Sequence, residues 1–142
     1  MLAIKATDAR KDWSGVIDGV IREKPTFIKR TRDRIWLSNL DTMAEILEAY
    51  HFTADCFIED DNSVTLSLNE IDLVENSKTK EEAKILLGRS IMEYAEEYYT
   101  NYALYSKAPN RKSHIPYVFK ALITDDAQKL GESIVICQNG KS

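Results

Sequence analysis

Residues 1–50 read MLAIKATDAR KDWSGVIDGV IREKPTFIKR TRDRIWLSNL DTMAEILEAY, and this stretch decides the fold. It opens on a short apolar run, Met1 to Ile4, suited to a strand. Thr7 is placed to cap a helix, its hydroxyl accepting from an otherwise unpaired amide of the first turn. In that helix Trp13, Val16, Ile17, Val20 and Ile21 recur at i, i+3, i+4, i+7 and i+8 and draw one apolar stripe. Pro25 closes it. Thr26–Ile28 and Ile35–Leu37 read as two short strands rich in aromatic and β-branched residues, separated by the basic run Lys29-Arg30-Thr31-Arg32-Asp33-Arg34. Ser38 or Asp41 can cap a second helix, where Met43, Ile46, Leu47 and Tyr50 keep helical spacing. The predicted order is strand, helix, strand, strand, helix.

The run Ala6-Thr-Asp-Ala-Arg10-Lys-Asp-Trp-Ser14 before an amphipathic helix resembles the opening of Phd/YefM antitoxins, which reads x-x-x-E-A-R-x-x-F/L-S. Phe27-Ile-Lys-Arg30 is similar to the family's V-x-I-T-R strand, and Trp36-Leu-Ser38 with its helix to V-L-I-S-x-x-x-Y/F. The resemblance spans residues 1–51. Asp8 stands for the usual Glu, Trp13 for a smaller apolar residue, and the hairpin is shorter and lacks the family's Gly. The resemblance implies a β-α-β-β-α domain that dimerises and binds operator DNA. It also implies a cognate protein toxin as partner, of RelE-like or Doc-like type.

Composition sets the outer limits. With 142 residues, 44% of them hydrophobic, the chain can bury the core of one or two small domains. No apolar run approaches the ~18–20 residues that span a bilayer, and the N-terminus lacks a secretory pattern. Cys56 and Cys137 belong to no C-x-x-C pair, so reduced thiols in a cytoplasmic protein are expected, with neither metal nor cofactor. Charge is uneven: residues 1–37 carry a net +4 and residues 38–142 a net −8. A basic head on an acidic body suits a nucleic-acid contact at one end; an unevenly charged, solvated surface reads the same way.

Beyond Phe52 the period changes from helix to strand. Phe52, Ala54 and Cys56 alternate with polar residues, Glu59–Asn62 makes a polar turn, and Val64, Leu66 and Leu68 alternate again, predicting a hairpin. Ile71–Val74 reads as a short strand or edge. Thr79-Lys-Glu-Glu82 reads as a reciprocal capping box opening a long helix that runs to Leu104 or Tyr105. Acidic turn, alternating strand and Thr79-Lys-Glu-Glu-Ala83 together also resemble, more faintly, the RNase H-like domain of HicB antitoxins, without its Gly-rich turn or P-x-L-P-G segment. Ser106–Ser113 is a polar linker and marks a sub-boundary. Pro116 suits the first turn of a short helix capped by Ser113 or His114, Asp125-Asp126 begin another turn that Gly131 ends, and Ile134–Cys137 reads as a final strand.

Two groups of residues are candidate sites. Arg10, Lys11, Lys29, Arg30, Arg32 and Arg34 can grip phosphate and reach base edges, or can simply solvate a hairpin tip. By the resemblance Arg10 and Arg30 match the family's DNA-contacting residues; the other four rest on charge alone. Tyr99, Tyr105 and Tyr117 are candidates for a partner surface, while Tyr94, Tyr98 and Tyr102 share a face and read as core-edge packing. Glu59, Asp60 and Asp61 are consecutive in a turn and cannot all converge on a metal, and His51 and His114 have no partnered nucleophile, so no catalytic residue is assigned. The expected chain is an α+β protein with a Phd/YefM-like domain at 1–51 and a small α+β domain at 52–142. It would act as a non-enzymatic antitoxin that binds a toxin and represses its own operon, or as a DNA-binding regulator without a toxin.

Overall fold

The structure, a computed structural model, describes residues 2–137, which form two compact units, Met1–Ile46 and Leu47–Ser142. Both units mix helix and strand, so the fold is α+β.

In the first unit β1 (Ile4–Lys5) leads into α1 (Ala6–Lys11) and α2 (Trp13–Arg22), followed by β2 (Thr26–Arg30), β3 (Asp33–Leu37) and α3 (Leu40–Ile46). Thr7 caps nothing: α1 already begins at Ala6, with Lys5 at its cap position and no side-chain bond there. The expected single helix is two. Asp12 leaves helical geometry (φ −134°, ψ 55°), and its Oδ1 accepts from Gly15 N at 3.2 Å, restarting the helix as α2. Neither Ser38 nor Asp41 caps α3; Asn39 Oδ1 accepts from Thr42 N at 2.9 Å instead. The three strands lie in the order β1-β2-β3, with β1 parallel and β3 antiparallel to β2. The basic run is strand almost throughout: β2 and β3 pair from Thr26↔Leu37 to Arg30↔Asp33, leaving only Thr31 and Arg32 as the turn. Thr31 takes φ 55°, a left-handed conformation costly for a β-branched residue.

The second unit is built on β4 (Thr53–Ile58), β5 (Val64–Leu68) and β6 (Val74–Ser77), then α4 (Lys80–Thr100) and α5 (Tyr102–Tyr105). A 3₁₀ turn (Lys112–His114), α6 (Ile115–Thr124), α7 (Ala127–Ser133) and β7 (Val135–Cys137) complete it. The predicted hairpin forms with Ala54↔Leu68 through Ile58↔Val64 in register. The third strand falls at Val74–Ser77 and not at Ile71–Val74, because Ile71 turns inward and is buried in the core. Strand order is β6-β5-β4-β7, and β7 runs parallel to β4 after the helical crossover.

The helices pack on the sheet face that carries Ala54, Val64, Leu66 and Leu68, and Leu87, Ile91, Ala95 and Tyr98 of α4 with Val118 of α6 and Leu130 of α7 complete the core. The other face carries Thr53, Asp55, Phe57, Thr65, Ser67 and Asn76, none of them buried. Thr79 caps α4, its hydroxyl accepting from Glu82 N at 3.1 Å. The box is not reciprocal: the Glu82 carboxylate accepts from the Ser77 hydroxyl at 2.8 Å. Asp126 caps α7 by accepting from Lys129 N, and His114 precedes α6 without a side-chain cap, Pro116 lying in the first turn. Gly131 does not end α7 but lies buried inside it.

Candidate functional site

The basic residues of the first unit gather through strand pairing. Lys5, Lys29 and Arg34 occupy one row across β1, β2 and β3, by the registers Lys5↔Lys29 and Lys29↔Arg34. In antiparallel pairing, residues directly opposite point to the same face, so Phe27 and Trp36, two pairs along, share that face with the row. Ile28 and Ile35 point the other way, and Ile28 is buried. Two shallow concavities meet at the hairpin: one of about 470 Å³ lined by Ala3, Lys29, Thr31, Arg32 and Arg34, the other of about 380 Å³ lined by Lys5, Ala6, Thr7, Lys29, Arg30 and Thr31. All six predicted basic residues are exposed.

Lys29, Arg30, Arg32 and Arg34 are therefore brought together, and Lys5 joins them. Sequence reasoning missed Lys5, because its place beside Lys29 follows from a parallel pairing that local pattern does not encode. Arg10 and Lys11 stand outside both concavities. They occupy the last turn of α1, not the first turns of a long helix, a place where cations complement the helix dipole.

Of the tyrosines of the second unit, Tyr105 and Tyr117 are drawn inward against the core while Tyr99 stays exposed. Asn101 (φ −112°, ψ 35°) separates α4 from α5, yet the row of rings continues across it, Tyr98 meeting Tyr94 and Tyr102 edge-on at 5.9 Å each. Tyr98 is fully buried, and its hydroxyl donates to the Arg111 carbonyl at 2.8 Å. Tyr105 turns inward: its ring meets Tyr98 edge-on at 5.5 Å, its hydroxyl donates to Glu97 at 2.9 Å, and the Arg111 guanidinium lies 4.0 Å from its centroid. Tyr117 is half-buried between Tyr50 and Phe52, at 5.5 and 5.7 Å. Tyr99 is 62% exposed.

Titratable groups in this region are shifted mainly by burial. Tyr94 Oη lies 2.7 Å from His114 Nδ1, and burial pushes the phenol up and the imidazole down from their ordinary values. Asp61 Oδ1 accepts from the Ser63 amide and hydroxyl, which lowers its carboxyl; the acidic turn is thus a hairpin device. Among the described residues, no group of three or more His, Cys, Asp or Glu is placed to hold a metal, and no helix is long and apolar enough to cross a membrane.

Comparison with known proteins fits this arrangement. No curated protein matches the chain. A crystal structure at 1.80 Å from Syntrophomonas wolfei subsp. wolfei, described as the antitoxin part of a proposed toxin/antitoxin system, superposes with a TM-score of 0.91 at 30% identity. The match covers 96% of this chain and 99% of that one. The model of the PHD_like family, described as antitoxins of RelE/RelB toxin–antitoxin systems, matches residues 1–136. The chain belongs to this antitoxin family.

Proposed function

We propose that this antitoxin binds and neutralises a small protein toxin and, as a homodimer on operator DNA, represses its own operon in the cytoplasm. The observation that carries the DNA contact is the Lys5–Lys29–Arg34 row, extended by Arg30 and Arg32 at the hairpin. Phosphate neutralisation needs such a cluster of exposed cations. Arg10 and Lys11 add a second basic point on α1.

Dimerisation is supported by how little the first unit buries. Among its described residues only Ala9, Val20 and Ile28 are buried hydrophobics, while Trp13, Ile21, Phe27, Ile35, Trp36, Leu40 and Ile46 are exposed. A unit this small is marginal alone, and an apolar surface of this kind suits a second copy. The RelE/RelB description of the family favours a RelE-like toxin over a Doc-like one. Residues 38–142, with their net −8, would meet a basic toxin through a preformed surface.

The test of the DNA half is fluorescence anisotropy with the DNA upstream of the protein's own gene. Affinity is expected to fall steeply with salt and to weaken in Arg30→Ala. Salt-insensitive binding, or none, contradicts it.

A further inference from the structure

Where α4 gives way to α5, the second unit exposes a compact apolar patch. Tyr99 is 62% and Tyr102 38% exposed. The rings of Tyr99 and Tyr102 both stand edge-on to Phe119 of α6, with centroids 6.4 and 5.8 Å away. Other exposed apolar side chains of this unit, such as Ile85, Val74 and Val135, sit elsewhere on α4 or on the edge strands. A cluster of aromatic rings is the composition of an interface anchor, since each ring offers a large apolar area with few rotamers to freeze.

The layer beneath the patch is tied down. Tyr98 packs edge-on against both Tyr102 and Tyr105, at 5.9 and 5.5 Å. Its hydroxyl is bonded to the Arg111 carbonyl, and Arg111 in turn covers the Tyr105 ring. A surface held this way needs little ordering on association. Glu93 and Glu96, both exposed, precede Tyr99 at successive three-residue steps on α4 and so lie along the same ridge. They set an acidic margin beside the patch, in a part of the chain with a net −8.

We infer that Tyr99, Tyr102 and Phe119 form the docking surface for the toxin, a basic protein that seats apolar side chains on the patch and Lys or Arg against Glu93 and Glu96. This rests on the antitoxin reading and adds to it the place of contact. Charge complementarity selects the occupant: a second copy would bring its own acidic margin against this one.

The experiment titrates the full chain with the purified product of the reading frame adjoining its gene, by calorimetry. Tyr99→Glu is expected to weaken binding about thirtyfold or more, the scale of losing an interface hot spot. Tyr102→Ala weakens it in the same direction, and Glu96→Lys slows association at low salt. Val74→Thr, on the other sheet face, leaves affinity within about twofold. Wild-type affinity with both patch variants overturns the assignment. So does a change in the oligomeric state of the chain alone in Tyr99→Glu, which would make the patch a self-interface. Failure of the wild-type chain to bind the neighbouring product overturns the toxin reading itself, a result distinct from binding that ignores the patch.

Discussion

Gly88 of α4 and Gly131 of α7 meet backbone to backbone. A Cβ on Gly88 would lie 2.3 Å from the Ala127 carbonyl oxygen and 2.6 Å from Gly131 N, and one on Gly131 would lie 2.6 Å from the Lys84 carbonyl oxygen. Every near atom is main chain, so nothing can swing aside. The two helices must part to admit a methyl group, opening the core around Leu87 and Leu130. Gly88→Ala and Gly131→Ala are each expected to cost about 2–3 kcal/mol, the upper range for overpacking. Urea denaturation followed by circular dichroism measures it; melting at the wild-type midpoint would contradict the packing.

Thr31 gives the opposite sign. Its φ of 55° places a β-branched residue in the left-handed region. Asn accepts this conformation more readily and lacks the entropy cost of glycine. Thr31→Asn should stabilise the hairpin by about 1 kcal/mol, read as a higher midpoint in the same denaturation.

How far the sequence announces this fold depends on how local the decision is. The β4–β5 hairpin is legible because Ala54, Leu66 and Leu68 alternate with polar residues, and the start of α4 because Thr79 is followed by Glu82. The break at Asp12 is not legible. Ala6 to Arg22 keeps one helical period across it, and only the bond from Gly15 N to the Asp12 carboxylate splits it. Gly131 reads as a stop because its packing partner, Gly88, is 43 residues away in sequence. The site divides in the same way. Lys29 to Arg34 stand out as a basic run, whereas Lys5 enters through a parallel pairing, and the inward turn of Tyr105 depends on the break at Asn101 and on Arg111, distant in sequence.

His114 makes stability depend on pH. Burial holds its folded-state pKa below the ordinary 6.5, with Asp72 opposing the shift and Arg111 adding to it, while Tyr94 lies against Nδ1. As acid is added the unfolded chain takes up this proton first, so the contribution is full above about pH 6.5 and is lost as pH falls below it. Thermal melts from pH 7.5 to 5.5 (about one unit either side) should show a decline that is shallower in His114→Gln. An equal decline in both proteins would remove His114 as its source.

Lys29 is the centre of the basic row, with Lys5 on one side and Arg34 on the other. Lys29→Ala should weaken operator binding at all sequences alike and lower the salt slope by about 1, the signature of a lost phosphate contact. Arg10→Ala, on α1, should weaken binding without changing the melting of the chain. Anisotropy titrations at several salt concentrations measure both effects, and an unchanged slope in Lys29→Ala would take the row out of the DNA contact.

The most direct measurement on the central claim, that this family member neutralises a protein toxin, is growth under co-expression. The adjoining reading frame is induced alone, then with the full antitoxin chain, then with its Tyr99→Glu variant. The account predicts arrest with the neighbour alone, full rescue by the wild-type chain, and weakened rescue by the variant. A neighbour that leaves growth untouched, or arrest that persists beside the wild-type chain, would contradict it.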